Sequence, residues 1–152
     1  MRTVLVILCH VLGLLSVPAT ASETLVVHTA WIREAPPTAR VLAAYMVIEN
    51  TGESPAGIMA IASPDFEHTE LHRTTVESGI ARMVPIDKLE IPAGEQISLE
   101  PGGIHLMLFN PLLPLREGDK VTLTIQGADG LSKSFMVPVI RETGDAVLHQ
   151  HH

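Results

Sequence analysis

The chain is nearly without cysteine. Among 152 residues there is one, Cys9, and it sits in the apolar opening MRTVLVILCHVLGLLSVPATAS. Arg2 followed by an apolar stretch and the small residues Ala19-Thr20-Ala21 has the form of a secretory leader cut after residue 21. The stretch is too short and too weakly flanked to read as a membrane span. Cys9 lies too deep in it, and too far from the small-residue site, to serve as a lipid attachment point, so it leaves with the leader. Residues 22–152 then hold neither a thiol nor a disulfide, which excludes cysteine nucleophiles, thiolate zinc sites and blue-copper centres.

Other scarcities narrow the field further. Aromatic residues make up 3% of the chain, and ten basic residues face 17 acidic ones, a net charge of −7. Without Arg2, nine basic against 17 acidic residues give −8. Such a chain, with its basic residues scattered, lacks the footprint of a nucleic-acid binder. It also lacks a basic face for a membrane surface, so no stable membrane insertion is expected after leader cleavage. No serine stands in a nucleophile-elbow setting, and neither a phosphate-cradling glycine loop nor an HExxH helix occurs. Nothing in this inventory supports an enzyme.

What is present is a β pattern. Hydrophobic residues account for 46% of the chain, and 11 prolines and 11 glycines punctuate it. Short alternating runs at residues 24–32, 41–50, 56–61, 67–74, 80–86, 96–99, 104–110, 120–125 and 132–139 predict strands. Turn chemistry separates them, as in Asn50-Thr51-Gly52, Glu77-Ser78-Gly79 and Pro101-Gly102-Gly103. The expectation is a single all-β domain, a sandwich or barrel over residues 22–140, followed by a polar tail at 141–152. That tail ends His149-Gln150-His151-His152, a possible weak Cu(II) scavenger or an end with no role.

Chemistry concentrates on histidine and methionine. Beyond the leader the histidines are His28, His68, His72, His105 and the three in the tail; the methionines are Met46, Met59, Met83, Met107 and Met136. In GGIHLMLFNP, residues 102–111, strand alternation places His105 and Met107 on one face and Leu106 and Leu108 on the other. In EHTELHRTTVESGIARMVPI, residues 67–86, two alternating runs flank Glu77-Ser78-Gly79. Pairing outward from that turn brings His72 opposite Met83 to within about one residue of register. If the two segments meet, two imidazoles and two thioethers converge. Thioether sulfur favours Cu(I), whereas zinc sites recruit thiolate, carboxylate and imidazole. Protons compete with the metal for imidazole nitrogen. Taken singly, Met46, Met59 and Met136 are expected in the core, Trp31 in the core as well, His28 on a strand surface, and His68, about 13 Å along the strand from His72, at the periphery.

The spacing His72-x10-Met83-x21-His105-x-Met107 resembles the H-x10-M-x21-H-x-M signature of the PCuAC-type periplasmic copper chaperones. AWIREAPP (30–37), AAYMVIEN (43–50), IPAGEQISLEPGGIHLML (91–108) and PLREGDKVTLTI (114–125) extend the resemblance over residues 24–140. It implies a cupredoxin-like Greek-key fold with His72, Met83, His105 and Met107 as Cu(I) ligands. It further implies a periplasmic protein that hands copper to an acceptor, either the CuA-bearing subunit II of cytochrome c oxidase or another chaperone. The family often has a methionine two residues after the first histidine; here Thr74 stands there. Other readings of the same residues are a general periplasmic copper storage or tolerance protein and a non-metal adhesion or assembly module. An electron-transfer cupredoxin would need the thiolate this chain lacks.

Overall fold

A computed structural model describes residues 24–141. The expected leader, and the tail after Arg141, lie outside the described residues. Ten strands follow one another: β1 (Leu25–Arg33), β2 (Val41–Asn50), β3 (Ala56–Ala62), β4 (Phe66–Glu77), β5 (Ile80–Pro85), β6 (Leu89–Ile91), β7 (Gln96–Leu99), β8 (Ile104–Pro111), β9 (Lys120–Gly127) and β10 (Ser132–Ile140). Nine answer to the predicted strands. The tenth, β6, is three residues long, too short to display an alternation, and was not foreseen.

The strands hydrogen-bond in the order β5-β4-β8-β7-β2-β1-β10-β9-β3-β6, with a further β8–β2 pairing. This sheet is folded over, so that its two halves face each other. Leu42, Ala44, Leu71, Leu106 and Leu108 from one half share a core with Ile58, Ile61, Val121, Leu123, Ile125, Val137 and Val139 from the other. Two inner faces each carrying every second side chain make the expected sandwich. The ends of the chain's β region meet where β1 runs parallel to β10, Ile32 opposite Val139 and Arg33 opposite Ile140. Arg141 adds a bond from Nε to Glu34 Oε2 at 2.7 Å. That bond, then the Glu117 amide, holds the Glu34 carboxyl below its ordinary value. Stability from this contact is therefore present above the ordinary carboxylate range and lost as pH falls through the lowered value.

A bulge in β1 decides what faces outward. Val27 pairs with the buried Ile48 and His28 with Val47, but the register then shifts so that Trp31 pairs with Tyr45 and Ile32 with Ala44. Thr29, at φ 45°, supplies the extra residue. Alternation counted from Leu25 and Val27 would send Trp31 inward. The bulge reverses the parity: Ile32 is fully buried, and Trp31 lies on the outer face with its ring 4.6 Å from Tyr45. The expectation of a core tryptophan is corrected accordingly. Two of the three methionines expected in the core are corrected too. Met46 is buried, but Met59 and Met136 are 50% and 58% exposed. Met59 falls at a register shift in β3, and Met136 alternates with the inward Val137 and Val139.

Asn50, read as a turn residue, proves to be a buried polar knot. Its Nδ2 donates to the carbonyls of Ser54 at 2.8 Å, Ile91 at 3.0 Å and Pro92 at 3.2 Å, while Oδ1 accepts from Gly52 N at 3.0 Å. One side chain thus ties the end of β2 to β6. Asn50→Ala is expected to cost about 1–3 kcal/mol, because those carbonyls lose their donor without gaining water. Asn50→Asp, nearly the same in shape, should cost more, since a carboxylate would face the carbonyl oxygens. Urea unfolding of the three proteins, followed by circular dichroism, checks the ranking.

Candidate metal centre

Three leucines position the site. In β8, Leu106 and Leu108 are fully buried, so His105 and Met107 must stand on the opposite, outer face. In β4, Leu71 is buried and pairs with Leu106; on either side of it His72 pairs with His105 and Glu70 with Met107. The two imidazoles therefore become cross-strand neighbours, with ring centroids 6.2 Å apart and planes tilted by 45°. Next along the outer face comes β2, where Ala43 pairs with Met107 and Tyr45 follows it two residues on.

The hairpin of β4 and β5 brings the second sulfur. Glu77 pairs with Ile80, so only Ser78 and Gly79 form the loop. Both have positive φ, 51° and 80°, the signature of a type I′ turn. Because Glu77 joins the ladder, Met83 stands opposite Thr74, and His72 stands opposite Pro85. The expected pairing of His72 with Met83 is thus displaced by two residues. A displacement of two keeps the face, and Met83 remains on the same side of the sheet as His72.

Met83, His105 and Met107 line one cavity of about 320 Å³, together with Thr74, Tyr45 and Gly102. His72 stands beside this cavity, against His105. Their environments differ. His105 is 6% exposed and Met83 is 60% exposed; the His72 side chain is 12% exposed. Pro101 and Gly102 line the same cavity as His105, and His105 Nδ1 lies 3.2 Å from the Gly103 carbonyl. His72 Nε2 lies 2.7 Å from Glu70 Oε2, while His72 Nδ1 is buried with no hydrogen-bond partner. A buried ring nitrogen without a partner costs free energy unless something occupies it. Among the described residues no group of three or more His, Cys, Asp or Glu could hold a metal ion. The cavity carries thioether sulfur from Met83 and Met107, imidazole nitrogen from His105, and hydroxyls from Thr74 and Tyr45.

The remaining candidates stay apart. His28 bonds Glu49 at 2.9 Å on the exposed face of β1. His68 is stacked on Phe109, ring centroids 4.3 Å apart, with Nε2 3.8 Å from Glu70 Oε1. Glu70 itself went unremarked in the sequence, although alternation along Glu70-Leu71-His72 places it on the histidine face. His149, His151 and His152 lie outside the described residues.

Comparison with known proteins places the chain. Residues 25–139 match the family model "LpqE-like: Putative lipoprotein LpqE-like". A protein described as "Putative lipoprotein Lxx21020" from Leifsonia xyli is 31% identical over 123 residues, covering 80% of this chain and 73% of that one. The chain belongs to the LpqE-like family. The solution structure of CuI-DR1885 from Deinococcus radiodurans is 31% identical, with a TM-score of 0.64 over 82% of this chain and 83% of that one. The copper-bound PCuAC domain of PmoF2 superposes with a TM-score of 0.66 over 78% of this chain and 94% of that domain, at 17% identity. The all-β, cupredoxin-like fold expected from the PCuAC resemblance is the fold of this LpqE-like chain.

Exposure sorts the methionines for a direct check. Limited peroxide treatment of the metal-free protein should convert Met59, Met83 and Met136 to sulfoxide well before Met46. Peptide mass spectrometry over a time course reads the order. Oxidation of Met46 ahead of Met83 would contradict the exposure of the β4–β5 hairpin.

Proposed function

We propose that this protein binds Cu(I) through His72, Met83, His105 and Met107 and passes it to a copper-accepting protein outside the cytoplasm. The observation that carries the reading is the pairing of His72 with His105 beside a cavity lined by Met83 and Met107. Two imidazoles and two thioethers are neutral and soft, a set suited to a monovalent d10 ion. The unpartnered, buried His72 Nδ1 fits a metal ligand better than a packing group. The Cu(I) form of DR1885 and the copper-bound PmoF2 domain, which share the fold, support copper as the cargo. The leader-like residues 1–21 and the lipoprotein description of the family support export.

The arrangement suits transfer. His72, His105 and Met107 sit on a paired ladder, whereas Met83 sits on β5, an edge strand exposed along its whole length. A thioether is a weak ligand, and the exposed one is the first an incoming acceptor can replace. Copper then leaves by stepwise substitution, with no thiolate to hold it back. The acceptor class follows the PCuAC resemblance: the CuA-bearing subunit of cytochrome c oxidase, or another copper chaperone.

Anaerobic titration with Cu(I) against a chromophoric competitor tests the ligand set. One tight equivalent is expected. Met83→Ala and His105→Ala should each weaken it by at least about tenfold, the lower range for loss of even an outer-shell partner. Deletion of residues 145–152 should leave it intact. Wild-type affinity in both point variants would remove the assignment, and loss of the tight equivalent on truncation would move the site to the tail histidines.

A further inference from the structure

Glu70 takes no part in the ligand set, yet it makes the shortest polar contact at the site. Its Oε2 lies 2.7 Å from His72 Nε2. Glu70 and His72 are two residues apart on one strand, so alternation puts both on the outer face, with Glu70 opposite Met107. A carboxylate only accepts hydrogen bonds, so the ring nitrogen facing it carries the proton. In a neutral imidazole the other nitrogen then keeps its lone pair. At His72 that other nitrogen is Nδ1, the buried atom without a partner. His105 shows the reverse arrangement. Its Nδ1 faces a carbonyl, that of Gly103, so Nδ1 is protonated and Nε2 is free.

We infer that Glu70 is a positioning residue that fixes His72 in its Nε2–H tautomer, so that His72 offers Nδ1, and His105 offers Nε2, to the metal. This inference rests on the Cu(I) reading above and adds to it which atom of each ring binds and what selects that atom. The geometry is that of a carboxylate–histidine–metal triad, in which the outer carboxylate orients the ring and raises its basicity. The free oxygen of Glu70 stands 3.8 Å from His68, beyond hydrogen-bond length, so the short contact to His72 is the one that holds the carboxylate. The competing explanation, a surface ion pair of little consequence, makes no demand on either tautomer.

Long-range 1H–15N spectra of the histidine rings decide between them, because Cu(I) is diamagnetic and the apo protein can be read in the same way. In the apo protein His72 is expected as the Nε2–H tautomer and His105 as the Nδ1–H tautomer. On Cu(I) addition the metal-dependent 15N shift should appear at Nδ1 of His72 and at Nε2 of His105. Glu70→Ala should let His72 populate both tautomers and weaken Cu(I) binding by about 10–100-fold. Glu70→Gln, whose amide oxygen accepts the same hydrogen bond, should restore the tautomer and most of the affinity. Coordination of His72 through Nε2, a wild-type tautomer and affinity in Glu70→Ala, or failure of Glu70→Gln to restore the tautomer would each overturn the inference. The apo tautomers report on Glu70 whether or not copper binds. Failure of the ligand set shows separately, as unchanged Cu(I) affinity in Met83→Ala and His105→Ala.

Discussion

The pairing of β4 with β8 is the constraint on which the site depends. Its register sets Leu71 against Leu106 on the inner face, and His72 against His105 on the outer one. A slip of one residue would turn over the strand that slips: for β4 it would send His72 into the core and Leu71 into water, for β8 His105 inward and Leu106 and Leu108 outward. Burying a leucine stabilises by about 1.5–3 kcal/mol, so Leu71 opposes the first slip and Leu106 and Leu108 the second. The polar side of the ladder need not specify its own geometry. It inherits the geometry from the apolar side, and the two imidazoles meet because the leucines beneath them do.

The same logic extends outward from the ladder with decreasing rigidity. Toward β2 the neighbours are Ala43, small enough to leave room above Met107, and Tyr45, covered by Trp31 and by the Arg33 guanidinium 5.5 Å from its ring centroid. That side of the cavity is walled by packed rings. Toward β5 the wall is a two-stranded ribbon with solvent beyond it, and every residue of β5 is exposed. A cargo site with one fixed wall and one exposed wall can hold an ion and still be reached by another protein. The proposed division of labour among the four ligands follows from strand order alone: three on paired strands, one at the sheet edge.

Local signals made most of the strands legible, because alternation and turn chemistry act over a few residues. They made the faces legible only where no bulge intervened. Trp31 was expected in the core, and the extra residue at Thr29 turns it outward although Leu25 and Val27 on the same strand point inward. Met136, expected in the core, lies between the exposed Ser134 and Pro138 on the outer face of β10, a context the core expectation did not weigh. The hairpin register moved one residue past the expected range because Glu77 entered the ladder opposite Ile80 instead of the loop, a choice settled by the positive φ of both Ser78 and Gly79. β4 against β8, and β1 beside β10, are contacts between distant parts of the chain, and no local pattern encodes them. The long spacing shared with the PCuAC signature carried the expectation that His72 and Met83 come near His105 and Met107; the residues alone left it conditional.

Glu70 sharpens a point about metal choice. A carboxylate beside a soft site is a hazard, since oxygen ligands invite harder, divalent ions. Held at 2.7 Å by His72, the carboxylate stands, in the proposed site, behind the imidazole instead of among the donors. It can offset the positive charge of a bound Cu(I) without joining the donor set, and it turns the lone pair of His72 to the buried side of the ring. On the proposed reading, a residue that would broaden selectivity narrows it instead. Ladder pairing keeps it there: Glu70 is opposite Met107 for the same reason that His72 is opposite His105.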